Sequence, residues 1–330
     1  MQVKPINTID PLTYGEEVLK RVYDPVNNKR LVRRIREGRS YGTCTTIDLV
    51  GCDMLCSYCY TDTPNLTGKI PDDSILAREM KKKKGFKAGF YTPKEIANEA
   101  KRVITEEGYP KNIQITAAET FLTQRWTLEL IDELAQFVRR NDGLIWADTN
   151  GTTIVYRNPK IIDALKPYSD ILRIFVSSKN SPELYEATTR ADSKYSDTGF
   201  QCIEMLWKDE MPSYVQAISA LFMPSSFEWY ERRLERIHKA APLLLDLDHL
   251  SYLPLNRIRS RLKSTGLWDI RQKDTKIDKE WKAHVEAHYG RSIARLFSVD
   301  FFPEDEKLVR ELVFEDKPLE ECYLFEQESK

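Results

Sequence analysis

The sequence lacks long apolar runs and any excess of one charge. No stretch approaches the roughly 20 apolar residues that a membrane-spanning helix needs, and residues 1–21 carry Asp10, Glu16 and Glu17 in place of the apolar core of a secretion signal. The 50 basic and 51 acidic side chains give a formal net charge of -1, so no overall field draws the chain to nucleic acid or membrane. We therefore expect a cytoplasmic globular protein without membrane association.

Cysteine is limited to six residues, and three of them lie close together. Cys52, Cys56 and Cys59 follow Gly51 in a C-x3-C-x2-C pattern, whereas the other three are scattered. In a cytosolic chain of this size, such a group indicates metal binding or catalysis rather than disulfides. The scattered cysteines are too few and too far apart to predict a second metal site.

Histidine is even less frequent than cysteine, and the positions of the four histidines argue against a structural zinc site. A structural zinc site would need a fourth nearby cysteine or histidine. The four histidines all lie far from the clustered cysteines in sequence: His238, His249, His284 and His288. Three thiolates can instead each bind one iron of a 4Fe–4S cube and leave the fourth iron open. A non-catalytic scaffold that holds a structural metal is the alternative.

Strand-like and amphipathic helical segments alternate from residue 45 to residue 253. The predicted strands are residues 46–51, 112–116, 144–147, 171–176, 215–222 and 243–250. Their spacing of roughly 30–40 residues is the size of a βαβ unit. The alternation predicts an α/β fold, a partial (β/α)6 barrel of parallel strands with helices outside. Such folds bind ligands at the carboxyl ends of their strands.

Two segments flank this predicted barrel. Residues 254–330 are predicted to form a mostly helical C-terminal extension, and residues 1–44 a basic helical segment. The basic side chains of the latter have a helical spacing: Lys29, Arg30, Arg33, Arg34, Arg36 and Arg39. With Lys81–Lys84 in the long connection 61–91, they could bind an acidic protein or RNA. A solvated surface is the simpler interpretation.

The cysteine pattern resembles the signature of the radical S-adenosylmethionine (radical SAM) superfamily, C-x3-C-x-aromatic-C, with Tyr58 as the aromatic residue. The resemblance implies that Cys52, Cys56 and Cys59 hold a 4Fe–4S cluster whose open iron binds S-adenosylmethionine (AdoMet). It also implies reductive cleavage of AdoMet to a 5′-deoxyadenosyl radical that abstracts hydrogen from a substrate. A reductant such as ferredoxin or flavodoxin is then an expected partner.

The segment after the second predicted strand extends the resemblance. Residues 116–119 read Thr-Ala-Ala-Glu, where the superfamily has Gly-Gly-Glu. The resemblance implies that the backbone at Ala118 and the carboxylate of Glu119 hold the methionine amino group.

Residues 148–151 read Asp-Thr-Asn-Gly, which is similar to the segment that follows the third strand in the activating enzymes of glycyl-radical enzymes. In that branch the Asp and Thr help to bind a monovalent cation, which would place Asp148 and Thr149 at such a site and Asn150 beside AdoMet. A tight turn is the alternative. Lys179 lies just past the fourth strand and matches a family lysine that faces the active site. Ser177 and Lys179 could bind AdoMet or position the substrate.

The order of these motifs is most similar to that of the activating-enzyme branch, which acts on a partner protein. We therefore expect a radical SAM enzyme, an oxidoreductase or activase, whose substrate is a protein or peptide. A radical SAM enzyme that modifies RNA is the alternative within the superfamily. The substrate, the fate of AdoMet and the role of the C-terminal extension are left open.

Overall fold

The computed structural model describes residues 7–38, 43–69, 86–179, 181–218, 221–248, 256–269, 274–289, 309–318 and 321. Its strands form a single sheet: β1 Tyr23–Asp24, β2 Lys29–Gly38, β3 Cys44–Leu49, β4 Gly89–Tyr91, β5 Ile113–Thr116, β6 Ile145–Thr149, β7 Leu172–Ser177, β8 Ser213–Ile218 and β9 Leu245–Asp248. The described α-helices are α1 Pro11–Val22, α2 Thr63–Leu66, α3 Pro93–Glu107, α4 Gln124–Arg140, α5 Ile161–Leu165, α6 Pro182–Thr189, α7 Thr198–Lys208, α8 Phe227–Glu235, α9 Asn256–Thr265 and α10 Asp274–Tyr289.

Six parallel strands form the central part of the sheet. Strand β3 pairs with β5, and the pairing continues in parallel through β6, β7, β8 and β9. Strands β1 and β2 add antiparallel neighbours on the β3 side, and β4 pairs with β2. The predicted partial barrel with six parallel strands is confirmed, and the sheet is open rather than closed.

The two faces of the parallel strands differ in polarity, because successive side chains of a strand point to opposite faces. Apolar residues on one face belong to the main hydrophobic core with the helices, as Ile115 of β5 and Ala147 of β6 do. Between them, Gln114 donates a hydrogen bond to Asp148 on the next strand at 3.0 Å. The same face carries Trp146, Phe175 and Tyr214, so the inner side of the barrel combines polar and aromatic side chains.

The helix predicted for the basic N-terminal segment is wrong for residues 29–38, which form strand β2. Helix α1, which ends at Val22, lies in the less basic part of that segment. Strand β2 pairs with β1 and β4 at its start and with β3 from Val32 onward, and this pairing outweighs the helical spacing of its charges. Arg30 and Arg33 are buried, so this part of the basic run is not a solvated surface. Arg39 lies outside the described residues. The sheet therefore extends into residues 1–44.

The described parts of the C-terminal extension comprise α9, α10 and a π-helical turn at Arg310–Phe314. Lys81–Lys84, His249 and Cys322 lie outside the described residues. None of the described helices is both long enough and apolar enough to span a membrane.

A buried carboxylate joins β2 to β3. Asp48 has a fully buried side chain, and it accepts hydrogen bonds from Arg34 at 2.6 Å and from Arg36 at 2.9 and 3.1 Å. The two guanidinium groups hold its pKa below the ordinary value although burial raises it. The two arginines that seemed available for nucleic acid are therefore engaged within the sheet.

We expect Asp48→Asn to lower the free energy of unfolding by about 3 kcal/mol, because removal of one partner of a buried ion pair leaves the other charges uncompensated. Asp170→Asn is the matched control, since Asp170 pairs with Arg139 at the surface, where such pairs contribute at most about 1 kcal/mol. Urea unfolding of both variants, followed by circular dichroism, measures the difference. Equal losses would contradict the role of burial.

Candidate functional site

A cavity of about 150 Å³ opens at the carboxyl ends of the parallel strands. All the site residues predicted from the sequence line it: Cys52, Cys56, Tyr58, Cys59, Ala118, Glu119, Asp148, Thr149, Asn150, Ser177 and Lys179. The other lining residues are Met54, Tyr60, Thr61, Leu66, Thr116, Ala117, Gln216, Ile218 and Asp248. The fold thus brings segments more than 120 residues apart in sequence to one place, whereas the roles of the individual residues stay predictions.

The cysteine loop, defined here as residues 51–61, begins at a glycine that the packing requires. Gly51 has φ of 91°, and a Cβ atom there would lie 2.8 Å from Val18 of α1, so a side chain would be both strained and obstructed. The Gly51 and Cys52 amides donate to the carbonyls of Asn65 and Leu66, and the Gly51 carbonyl accepts from the Glu119 amide. The start of the loop is therefore fixed to α2 and to the end of β5.

The middle of the cysteine loop is held by the end of α6. The amides of Leu55 and Ser57 donate to the carbonyls of Thr189 and Thr188 at 3.1 and 2.8 Å. The Ser57 hydroxyl adds 3.1 Å bonds to the carbonyls of Ala187 and Thr188. These carbonyls at a helix C-terminus have no partner within the helix, so loop and helix end satisfy each other.

The C-terminal extension holds the far end of the loop. Arg257 donates to the Tyr60 carbonyl at 3.1 Å, and Arg261 donates to the Thr61 carbonyl at 3.0 Å and to the Cys59 carbonyl. Ile258 and Leu262, on the same helix α9, pack with Met54, Cys56 and Tyr58 in a hydrophobic cluster of their own. Helix α9 of the extension therefore packs against the cysteine loop and bonds to its backbone. No pattern in the sequence indicated this contact.

The three loop cysteines are free thiols, and their surroundings fit a metal cluster. Burial raises the pKa of Cys56 and raises that of Cys52 well above the ordinary value, so both would stay protonated until a cation compensates the thiolate charge. A coordinated metal does this. Among the described residues that line the cavity there is no fourth cysteine and no histidine, so the donor set fits a 4Fe–4S cluster with three protein ligands.

Glu119 joins the ends of β5 and β6 and is almost fully buried. Its Oε1 atom accepts from the Thr149 hydroxyl at 2.7 Å and from the Phe121 amide at 3.0 Å, and its Oε2 atom accepts from the Asn150 amide at 2.8 Å. These donors pull its pKa down, but burial is stronger and raises it overall. The Glu119 carboxylate therefore holds the ends of β5 and β6 together. In the predicted complex the same carboxylate would also contact AdoMet.

Asp53 is a buried carboxyl group that the sequence argument did not single out. It accepts a hydrogen bond from the Asn150 side chain at 2.5 Å, whereas its Oδ2 atom is buried without a hydrogen-bond partner. Burial, followed by the negative charge of Glu119, raises its pKa to about 7. Asp53 connects the cysteine loop to the turn after β6. Its position next to Cys52 in the sequence was the signal that could have identified it.

The predicted cation ligands Asp148 and Thr149 have separate partners. Asp148 accepts from Gln114, its Oδ1 atom has no hydrogen-bond partner, and burial raises its pKa to about 6. Thr149 donates instead to Glu119, as expected of strand neighbours that point to opposite faces. A cation bound by both residues therefore stays a prediction.

Two lining residues that the sequence did not identify, Gln216 and Asp248, lie on the last two strands. Gln216 is the fourth residue of β8, and Asp248 is the last residue of β9. The alternation of Leu and Asp at residues 245–248 was the available signal, because in a half-polar strand it places the acidic residues on one face. Lys179 adds a cation, which lies 5.9 Å from the centre of the Tyr58 ring.

Ala117 adopts a left-handed backbone conformation, with φ of 70°, at a position where the resemblance expects glycine. Its carbonyl accepts from the Thr61 hydroxyl at 3.1 Å, so the tertiary structure imposes this conformation. For a non-glycine residue the left-handed conformation costs roughly 1–2 kcal/mol.

We expect Ala117→Gly to raise the free energy of unfolding by about 0.5 kcal/mol, because the relieved strain exceeds the roughly 0.5–1 kcal/mol entropy cost of glycine. Ala97→Gly, in the middle of α3, is the control and should lower it by about 1 kcal/mol. Chemical denaturation measures both. A loss at position 117 as large as that at position 97 would rule out the strain.

We expect Arg261→Gln to loosen the end of the cysteine loop and to lower the free energy of unfolding by about 2 kcal/mol, since it removes charge-assisted bonds to two carbonyls. Hydrogen–deuterium exchange of residues 55–61 should accelerate. The control Arg259→Gln changes an exposed arginine of the same helix that stacks on Trp268 and should leave the loop protected. Equal exchange in both variants would show that the Arg261 bonds do not hold the loop.

Part of the chain matches a family of known proteins. Residues 46–205 match the family model described as Radical SAM superfamily. No curated protein matches the chain in sequence. Solved structures of similar outline include native anSMEcpe with bound AdoMet, at 13% identity and a TM-score of 0.40 over 61% of this chain and 49% of that one. Another is TYW1 with a lysine-pyruvate adduct bound, at 13% identity and a TM-score of 0.38 over 67% of this chain and 72% of that one.

The chain spans about half the length of the anSMEcpe structures it resembles. The match over residues 46–205 covers β3 to β7 and most of α7, and therefore includes the cysteine loop and the ends of the strands that carry Glu119 and Asp148. Residues 46–205 of this chain therefore match a radical SAM superfamily domain.

Proposed function

We propose that this protein is a radical SAM enzyme that generates a 5′-deoxyadenosyl radical and uses it on a substrate in the barrel lumen. One observation carries the proposal. Three free thiols on a single loop share a cavity with the Ala118–Glu119 and Asp148–Asn150 segments at the carboxyl edge of an open parallel barrel. A structural metal site would not require this convergence of polar strand ends.

Each part of the cavity would have its own task. Cys52, Cys56 and Cys59 would hold the 4Fe–4S cluster, which when bound supplies the electron that cleaves AdoMet. The backbone at Ala118 and the carboxylate of Glu119 would orient the amino acid part of AdoMet. Burial of the loop under α9 limits the access of water to the site, which protects a reactive radical from side reactions.

The polar side chains that line the cavity support a substrate with hydrogen-bonding groups. Asp148, Gln216 and Asp248 line the cavity on three different strands, and Ser177 and Lys179 lie at the end of a fourth. We propose that these side chains position the substrate. Asp148 is the first candidate to accept a hydrogen bond from it, since its Oδ1 atom has no hydrogen-bond partner. The similarity of residues 148–151 to the activating enzymes supports a protein or peptide as this substrate.

The alternative of an RNA substrate has less support than the sequence suggested. Arg30 donates to the carbonyls of Glu119 and Thr120 inside the protein, and Arg34 and Arg36 pair with Asp48. These groups are not available to neutralise phosphates, which is the main source of nucleic-acid affinity. As the electron donor we propose a ferredoxin or flavodoxin.

Anaerobic reconstitution with iron and sulfide, followed by reduction with AdoMet present, tests the function. We expect the wild-type chain to bind about four irons per chain, as a 4Fe–4S cluster requires, and to release 5′-deoxyadenosine. Cys56→Ser should lose this activity because only two cluster ligands remain. The control Cys202→Ala changes a buried cysteine of α7 that lies outside the loop and should retain it.

Two outcomes would contradict the proposal. Wild-type protein that takes up zinc but no iron–sulfur cluster would support the non-catalytic scaffold. Equal release of 5′-deoxyadenosine by wild type and Cys56→Ser would show that the loop cysteines do not carry the chemistry.

A further inference from the structure

A second group of potential metal ligands lies outside the cavity, between a barrel helix and the C-terminal extension. Helix α8 presents Glu231 and Glu235, and helix α10 presents His284 and His288. Each pair has a spacing of four residues, which places both members on one face of their helix. Two of the four histidines of the chain are thus directed at two carboxylates.

The donor atoms of three of these residues converge. One donor atom each from Glu231, Glu235 and His288 lies within 4.8 Å of the other two. His288 Nδ1 is 3.3 Å from Glu231 Oε1, and His288 Nε2 is 3.1 Å from Glu235 Oε1. Zinc binds nitrogen and oxygen at about 2.0–2.2 Å in a tetrahedron, which separates neighbouring ligands by roughly 3.3–3.5 Å. Because one ion binds only one nitrogen of an imidazole ring, only one of these two contacts can be a separation between its ligands. The contact of Nδ1 with Glu231 is of this size.

Glu231 is the buried member of this group of side chains. The residue is 7% exposed, and its Oε2 atom bonds to His284 Nε2 at 2.9 Å. Its Oε1 atom, which faces His288, is buried and makes no hydrogen bond. A buried carboxylate oxygen without a hydrogen bond is costly, and a cation at this point would remove that cost.

We propose that Glu231, Glu235 and His288 bind a zinc ion, and that His284 orients Glu231 through the opposite carboxylate oxygen. The imidazole favours zinc over calcium or magnesium, which prefer oxygen ligands alone. A hydrogen-bonded partner behind a ligand is the usual arrangement at metal sites. Half of the His288 side chain is exposed, so water can reach the ion and complete its coordination.

Such an ion would join α10 of the extension to α8 of the barrel. The same two helices already pack through Phe227 and Trp281, whose ring centres lie 5.4 Å apart. The extension that supplies Arg257 and Arg261 to the cysteine loop would then be fastened to the barrel at a second point.

Zinc binding to the full chain tests this proposal. The background is a variant in which Cys52, Cys56 and Cys59 are all replaced by serine, so that no loop thiolate competes. We expect one zinc per chain by equilibrium dialysis and metal analysis, together with a rise in melting temperature. His288→Ala and Glu235→Gln should abolish both effects. His284→Gln should weaken zinc binding roughly 10- to 100-fold, as loss of a partner behind a ligand does.

His238→Ala is the control, because His238 lies just beyond the end of α8 and contacts Asp316 instead. Its zinc-dependent rise in melting temperature should be intact even if the variant is less stable. Should the triple-serine chain not fold, cobalt binding to the wild type gives the same answer, since a site of nitrogen and oxygen ligands lacks the thiolate charge-transfer absorption of cysteine sites.

The proposal is overturned if zinc does not bind to the triple-serine chain, or if His288→Ala binds it as tightly as the parent. Either result would mean that the four side chains serve only as hydrogen-bonded pairs between helices. The test is independent of AdoMet cleavage, so its outcome does not decide the proposed function.

Discussion

The anchorage of the cysteine loop is the constraint on which the site depends. Three thiols can share one cluster only if the backbone that carries them is held in one conformation. That backbone is bound by carbonyls of α2 and α6 and by the guanidinium groups of α9. These anchors come from residues 65–66, 187–189 and 257–261, so the loop is stable only when the whole barrel and the described part of the extension have formed around it.

Buried polar side chains of the barrel are paired across neighbouring strands. The lumen needs polar groups for ligands, and the low dielectric makes an unpaired polar group expensive. Side chains on neighbouring strands therefore pair with one another: Gln114 with Asp148, Gln216 with Asp246 and Arg36 with Asp48. Atoms that are left unpaired inside the cavity, such as Asp148 Oδ1, are then the places where a ligand would contribute most.

The C-terminal extension is part of the site rather than an appendage to it. Helix α9 covers the cysteine loop, and α10 packs on the barrel helix α8 through aromatic rings and Glu–His contacts. The family match ends at residue 205, before β8, β9 and these helices. Gln216 and Asp248 on the strands, together with the arginines of α9, therefore lie outside the segment that this match covers.

The sequence by itself determined the alternation of strands and helices, because burial of one face leaves a period of two or 3.6 residues in the apolar positions. It also determined the cysteine loop and the strand-end residues Glu119 and Asp148, since local motifs and strand ends are visible in one dimension. Only the tertiary structure decided that residues 29–38 form a strand, that Ala117 takes a left-handed conformation, and that Arg257 and Arg261 hold the loop. Each of these depends on contacts with residues distant in sequence, and such contacts outweigh local propensity without leaving a local pattern.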